Sequence, residues 1–61
     1  MNQTLALIRL PEVMAMTGLP KSTLYRMAST GAFPNRVKLS ARSVAWRMSD
    51  VAGWIESRQS L

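Results

Sequence analysis

A glycine-containing segment at residues 17–26, Thr-Gly-Leu-Pro-Lys-Ser-Thr-Leu-Tyr-Arg, constrains the fold of this 61-residue chain more than any other. Apolar side chains, with one threonine, recur at helical spacing on both sides of it. They are Leu10, Val13, Met14 and Thr17 before the turn, and Leu24, Met27 and Ala28 after it. Gly18 can adopt the left-handed conformation that ends a helix. The sequence therefore predicts two helices around a three-residue turn, the second starting near Pro20 or Lys21 and closed by Gly31.

Residues 36–47 change to the period of two that is typical of strands. Basic and apolar residues alternate over 36–39, and alternation returns over 44–47 after a small polar loop. A β-hairpin is therefore predicted. Four apolar side chains are expected to face the core, namely Val37, Leu39, Val44 and Trp46. The basic side chains of Arg36, Lys38 and Arg47 are expected to face outward, with Arg42 at the tip.

A third helix is predicted from Ser49, a suitable N-cap residue, with Asp50 in its first turn. Its helical repeat consists of Val51, Trp54, Ile55 and Arg58. Near the other end of the chain, residues 7–9 are expected to add a short extended piece and residues 1–6 to fray.

These elements predict one small domain over residues 1–61, with an ordered core of about 8–58. Its class is expected to be α+β with mainly helical content. A helix-turn-helix of this kind is suited to presenting its second helix to a DNA groove.

Charge is the strongest compositional signal. Two lysines and six arginines face three acids, Glu12, Asp50 and Glu56, which leaves a net charge of +5 and a pI near 11.4. Such an excess in a small domain favours a polyanionic partner. The chain has neither cysteine nor histidine, so the usual metal ligands and the commonest general base are missing. The prediction is a non-enzymatic protein with no metal site and no cofactor.

No segment approaches the ~18 apolar residues that a membrane span requires. The apolar patch at residues 5–8 is also too short for the core of a signal peptide. A cytoplasmic, nucleoid-associated protein with no membrane partner is therefore expected.

Several short motifs follow one another in a characteristic order. They are Arg9-Leu10-Pro11-Glu12-Val13, Thr17-Gly18-Leu19, Ser22-Thr23-Leu24-Tyr25-Arg26, Gly31-Ala32-Phe33-Pro34, Val37-Lys38-Leu39, Arg42-Ser43-Val44-Ala45-Trp46, Val51 and Trp54-Ile55. In these motifs the chain resembles the AlpA family of small phage and prophage regulators, which is related to phage excisionases and to MerR-type winged-helix domains. The resemblance covers about residues 8–58. It implies a winged helix-turn-helix fold and a role in transcription control or in directing site-specific recombination of a mobile element.

The second predicted helix is the candidate recognition helix. Side chains and backbone N–H groups at its start can reach phosphates or base edges. Arg26 has the fork that reads guanine, although it could equally hold a phosphate. Tyr25 either contacts DNA or packs its ring on the hairpin with only its hydroxyl in water. The expected DNA-binding residues of this helix are Lys21, Ser22, Thr23, Tyr25 and Arg26.

The predicted hairpin is the candidate wing. Arg36, Lys38 and Arg42 are expected to reach the flanking backbone or a narrow minor groove, and the alternative is a solvated basic face. Arg47 and Arg58 are expected to be structural or solvent-facing. Trp46 and Trp54 are expected in the core rather than on a stacking platform for single strands.

The leading prediction is a sequence-specific regulator that binds double-stranded DNA. One copy of so small a module should bind weakly, so several copies on repeated sites, or an integrase or recombinase partner, are expected. Three alternatives remain. The chain could be an excisionase-type directionality factor beside an integrase, a basic protein-interaction module with no DNA target, or an RNA or single-strand binder, which would need more exposed aromatic residues.

Overall fold

The computed structural model describes residues 5–61, so most of the segment expected to fray, residues 1–4, lies outside the described part of the chain. Within the described residues, three helices and three strands follow one another. Their bounds are β1 Leu7–Ile8, α1 Leu10–Thr17, α2 Lys21–Thr30, β2 Val37–Ser40, β3 Ser43–Arg47 and α3 Met48–Glu56. The predicted α+β class and element order are confirmed. The arrangement is consistent with a small winged-helix-like domain.

The helix-turn-helix forms as the sequence predicts. α1 ends at Gly18, whose φ is 73° and whose N–H donates to the carbonyl oxygen of Met14 over 2.8 Å. α2 ends in the same way at Gly31, with φ of 86°. In this left-handed region a glycine avoids the steric cost that a Cβ atom would carry. Pro20 precedes α2 as its N-cap residue, and Leu19 packs against the core between the two helices.

The sheet contains one strand more than the predicted hairpin. β1 pairs with β3, so β3 is the central strand of an antiparallel sheet with the order β1-β3-β2. Ile8 lies opposite Trp46 in this pairing. The extended piece near residue 7 is thus confirmed, but its partner was not predicted, because a two-residue strand has no periodicity from which pairing could be inferred.

The hairpin register corrects one predicted core residue. The opposed pairs are Val37–Ala45, Lys38–Val44 and Ser40–Ser43, which leaves Leu39 without a partner. Its side chain is 44% exposed, so the prediction that it faces the core is wrong. The two turn residues, Ala41 and Arg42, have no positive φ. They therefore form neither of the primed turns that match strand twist, and the register shift at Leu39 accommodates the mismatch.

The central strand is buried on both faces. Trp46 is fully buried, as predicted, and so is its neighbour Ala45. Successive side chains of a strand point to opposite faces. Because Val37 shares the face of Ala45, the predicted inward set is divided between the two sides of the sheet. The prediction of a single inward face is wrong for this hairpin because β3 is the central strand and side chains on both of its faces are buried.

α3 begins one residue before the predicted cap. Arg47 is both the last residue of β3 and the N-cap of α3, and Ser49 already lies inside the helix. The N–H of Met48, at the first helical position, donates to the carbonyl oxygen of Ala6 over 2.9 Å. A backbone carbonyl from the neighbouring segment therefore satisfies one of the N–H groups that lack an acceptor within the helix, and the prediction that Ser49 is the N-cap is wrong. Asp50 lies in the first turn, as predicted.

The core joins every helix to the central strand. Its four largest fully buried side chains come from α1, α2, β3 and α3, and they are Val13, Leu24, Trp46 and Val51. Ile8 and Phe33 complete the cluster. No charged or polar residue is buried in the part of the chain from residue 5 onward. In that same part, no helix has the length and apolar character needed to cross a membrane.

Candidate nucleic-acid interface

One continuous segment carries the entire charge excess. Residues 21–42 contain five basic side chains and no acidic one, whereas the remaining residues contain three of each and are neutral in sum. The five are Lys21, Arg26, Arg36, Lys38 and Arg42. In the structure they lie on α2, just before β2, on β2 and in the turn of the hairpin, and all five are exposed.

The start of α2 leaves backbone donors free for a ligand. The first four N–H groups of a helix have no acceptor within the helix itself. In α2, Leu24 donates to the carbonyl oxygen of Pro20, but the proline side chain offers the first turn no acceptor. Lys21 and Ser22 are exposed there, and Thr23 is half-buried. An uncapped start flanked by a lysine favours an anion, because the N-terminus carries a partial positive charge.

Tyr25 is the residue at which α2 meets the hairpin. Its ring stacks on Trp46, with centroids 6.2 Å apart and planes at 20°. The Cζ atom of Arg36 lies 4.7 Å from the ring centre, and the Nζ atom of Lys21 lies 5.8 Å from it. Of the two arrangements considered for Tyr25, packing of the ring on the hairpin is the one observed. The structure thus brings together three of the predicted contact residues.

The other predicted contacts lie apart from this cluster. Arg26 is exposed on α2, and within residues 5–61 its guanidinium is neither paired with a carboxylate nor placed over a ring. Lys38 lies opposite Val44, and Arg42 occupies the hairpin tip, as predicted. The eight predicted residues therefore fall into three groups. Tyr25 gathers Lys21 and Arg36 at the base of the hairpin, and Ser22 and Thr23 lie in the first turn of α2. The separate cations are Arg26 on α2 and Lys38 and Arg42 on the hairpin.

Sequence reasoning missed how the segment between α2 and β2 is held. The indole Nε1 of Trp46 donates to the carbonyl oxygen of Pro34 over 3.0 Å, and that of Trp54 donates to Ala32 over 2.8 Å. Phe33, between these acceptors, is buried and meets Trp54 edge to face at 4.9 Å. Trp46 is fully buried, as predicted, whereas Trp54 is half-buried and packs against the core. No local signal reveals which carbonyl an indole N–H will reach.

A second surface feature is unrelated to the predicted contacts. An open groove of about 670 Å³ runs between residues 31–34 and α3, and Asp50, Trp54 and Arg58 contribute to its lining. None of the eight predicted residues lines it. Elsewhere among the described residues, no three acidic side chains approach one another closely enough to bind a metal ion.

Sequence comparisons relate this chain to known proteins. The sequence model of the family described as "Prophage CP4-57 regulatory protein (AlpA)" matches residues 6–59. A relative from Enterobacteria phage P4, "Uncharacterized protein ORF88", is 43% identical over 51 residues. That alignment covers 84% of this chain and 58% of the relative. The chain thus spans less than two thirds of the length of the phage protein that it matches.

Proposed function

This chain belongs to the AlpA family of prophage regulatory proteins, and from that premise we propose that it binds double-stranded DNA in a sequence-specific manner to regulate transcription. α2 enters the major groove, and the β2–β3 hairpin contacts the flanking backbone. The proposed domain is the whole chain, acting in the cytoplasm on the nucleoid. Recognition of this kind needs hydrogen bonds and ion contacts but no covalent chemistry.

The observation that carries the proposal is the location of the charge. The whole net charge of +5 resides in residues 21–42, the segment that builds α2 and the outer strand of the hairpin. A protein that merely needed charge for solubility would gain nothing from concentrating it there. Cations on a helix start and on an adjacent hairpin match the two elements that a winged helix-turn-helix presents to a duplex.

The roles of the side chains follow from their positions. Lys21, Ser22 and Thr23 form the first turn of α2, where side chains and free N–H groups bind phosphates and fix the register of the helix. Arg26 lies one turn later, exposed and unpaired among the described residues, and is the candidate for a bidentate contact with guanine. Lys38 and Arg42 supply the backbone contacts of the wing.

Size limits what one copy can achieve. A single module of this kind buries only about 600–1,000 Å² of protein surface on DNA. We therefore propose that specific occupancy depends on several copies at repeated sites or on a neighbouring recombinase. An excisionase-type function would use the same contacts, because the difference lies in where the sites are rather than in the fold.

The test is selection of retained duplexes from a random pool, followed by sequencing, with fluorescence anisotropy at two salt concentrations. The expected result is a short motif, salt-sensitive binding and relaxed sequence preference in Arg26→Ala. The matched control is Arg58→Ala, which removes an exposed arginine outside residues 21–42 and should leave the motif unchanged. Recovery of no motif, together with no measurable duplex binding at the lower salt concentration, would contradict the proposal and favour a protein-interaction module.

A further inference from the structure

The ring of Tyr25 contacts charged groups from two different elements. Lys21 precedes it by one turn on α2, and Arg36 lies immediately before β2. Both charged groups lie within 5.8 Å of the same ring centre. The ring is itself half-buried and stacked on Trp46, which is fully buried.

Among residues 5–61, neither Lys21 nor Arg36 is paired with a carboxylate. Throughout residues 5–61 the observed ion pair is Arg47 with Asp50, at 4.0 Å, and residues 21–42 contain no acid. Two positive groups placed near each other repel. The electron-rich face of an aromatic ring offsets part of that repulsion by attracting both. A guanidinium held over a ring still keeps its charge and its N–H donors for an external anion.

We propose that Tyr25 is a positioning residue of the DNA interface, whose ring aligns Lys21 and Arg36 so that α2 and the base of the hairpin bind one stretch of phosphate backbone together. This inference rests on the proposed function and deepens it. A single DNA strand presents one charge per about 3.4 Å of helix axis, so two cations gathered around one ring can reach neighbouring phosphates.

The position of Tyr25 is in turn set by the core. The indole of Trp46 has no exposed surface, and its Nε1 is bonded to the carbonyl oxygen of Pro34. Pro34 belongs to the segment that leads to Arg36. Trp46 therefore restrains Arg36 in two ways, through the Tyr25 ring stacked on it and through its hydrogen bond to the Pro34 carbonyl. The proposed alignment of Lys21 and Arg36 exists before DNA binds.

A double-mutant cycle tests the inference on the full chain. The probe is a mixed-sequence duplex of about 20 base pairs at low salt, where phosphate contacts dominate affinity. Tyr25→Leu should weaken binding about two- to fivefold, as expected for loss of a cation–π contact. In the Arg36→Ala background the same substitution should have a clearly smaller effect. Tyr25→Phe, which keeps the ring, should bind like the wild type.

The control cycle pairs Tyr25→Leu with Arg26→Ala. Arg26 neighbours Tyr25 in sequence but is not among the cations found over its ring. The fold-changes in affinity caused by Tyr25→Leu and Arg26→Ala should therefore multiply in the double variant, as they do for independent sites. Independent effects in the Arg36 cycle as well would overturn the positioning inference while leaving DNA binding intact. Failure of the wild-type chain to bind any duplex would overturn the proposed function, and this inference with it.

Two further measurements separate positioning from folding. Thermal unfolding reports whether Tyr25→Leu remains folded, and Tyr25→Met replaces it in the cycle if it does not, since methionine packs well on aromatic rings. NMR of the free chain should show upfield ring-current shifts for the Arg36 side chain that persist in Tyr25→Phe and vanish in the Leu or Met variant. Unshifted Arg36 resonances in the wild type would contradict the inference directly.

Discussion

The indole Nε1 of Trp54 donates a hydrogen bond to the backbone carbonyl oxygen of Ala32 over 2.8 Å, which joins α3 to the segment between α2 and β2. Trp46 makes the corresponding bond to Pro34 from β3, over 3.0 Å. A connecting segment without regular structure is therefore held by two indoles. These contacts anchor the segment that links α2 to the hairpin.

Trp54→Phe should reduce the free energy of unfolding by about 1 kcal/mol, the usual net value of one hydrogen bond. Phenylalanine keeps an aromatic ring next to Phe33 but removes the donor, and the Ala32 carbonyl can exchange it for water because the bond is exposed. For a domain of this size the melting temperature should fall by about 4–8 °C. Urea and thermal unfolding followed by circular dichroism measure both quantities.

Trp46→Phe is the matched comparison and should cost more, on the order of 2–3 kcal/mol. Trp46 is fully buried, so the substitution leaves both a cavity and an unpaired carbonyl at Pro34. Equal losses for the two variants would show that the burial of Trp46 contributes little.

Gly53→Ala should stabilise the protein by about 0.5–1 kcal/mol. Gly53 lies inside α3, where glycine is entropically unfavourable. A Cβ atom built at this position would meet no neighbouring atom within 4 Å, so the methyl group has room. Gly31→Ala is the control. It also meets open space, but at φ of 86° it should destabilise by about 1–2 kcal/mol. A loss of stability in Gly53→Ala, measured by urea unfolding, would contradict the structure of α3.

Leu39→Ser should change the free energy of unfolding by less than about 0.5 kcal/mol, because Leu39 is exposed (44%) in the shifted register. Ala45→Ser should cost more, since Ala45 has no exposed surface and a hydroxyl there must be desolvated. Both can be measured by chemical denaturation. A larger loss of stability in Leu39→Ser than in Ala45→Ser would instead support the predicted alternation, in which Leu39 faces the core.

Lys38→Ala and Arg42→Ala should each make the salt dependence of DNA binding shallower by about one unit of log–log slope. The wild-type slope should be about −4 if four or five cations meet phosphates. Arg47→Ala provides the control, because Arg47 lies outside the basic segment and pairs with Asp50. The measurement is affinity for DNA across a salt series. Unchanged slopes in both Lys38→Ala and Arg42→Ala would place the hairpin away from the DNA.

Local signals were sufficient for the helix-turn-helix. Gly18 and Gly31 end their helices where the sequence predicts, because a left-handed residue is a property of a single position. The apolar spacing of α1 and α2 correctly identified Val13 and Leu24 as core residues. The concentration of cations between residues 21 and 42 is likewise evident from the sequence alone.

The sequence did not predict features that depend on contact with another segment of the chain. The predictions that Leu39 lies in the core and that Ser49 caps α3 are both wrong, because strand register and helix starts depend on neighbouring segments. Leu39 is unpaired and exposed because the turn at Ala41 and Arg42 does not match the strand twist, and the register shifts at Leu39. Ser49 is not the cap because α3 already begins at Met48, whose N–H donates to the carbonyl oxygen of Ala6 beside β1.

The composition and periodicity of this chain thus set its class, its first two helices, its basic segment and its family resemblance, since each is encoded in residues close together in sequence. The folded structure set the central position of β3, the two indole contacts and the gathering of Lys21 and Arg36 around Tyr25. These arise where segments distant in sequence meet, and the energy of such contacts depends on geometry that local sequence does not specify.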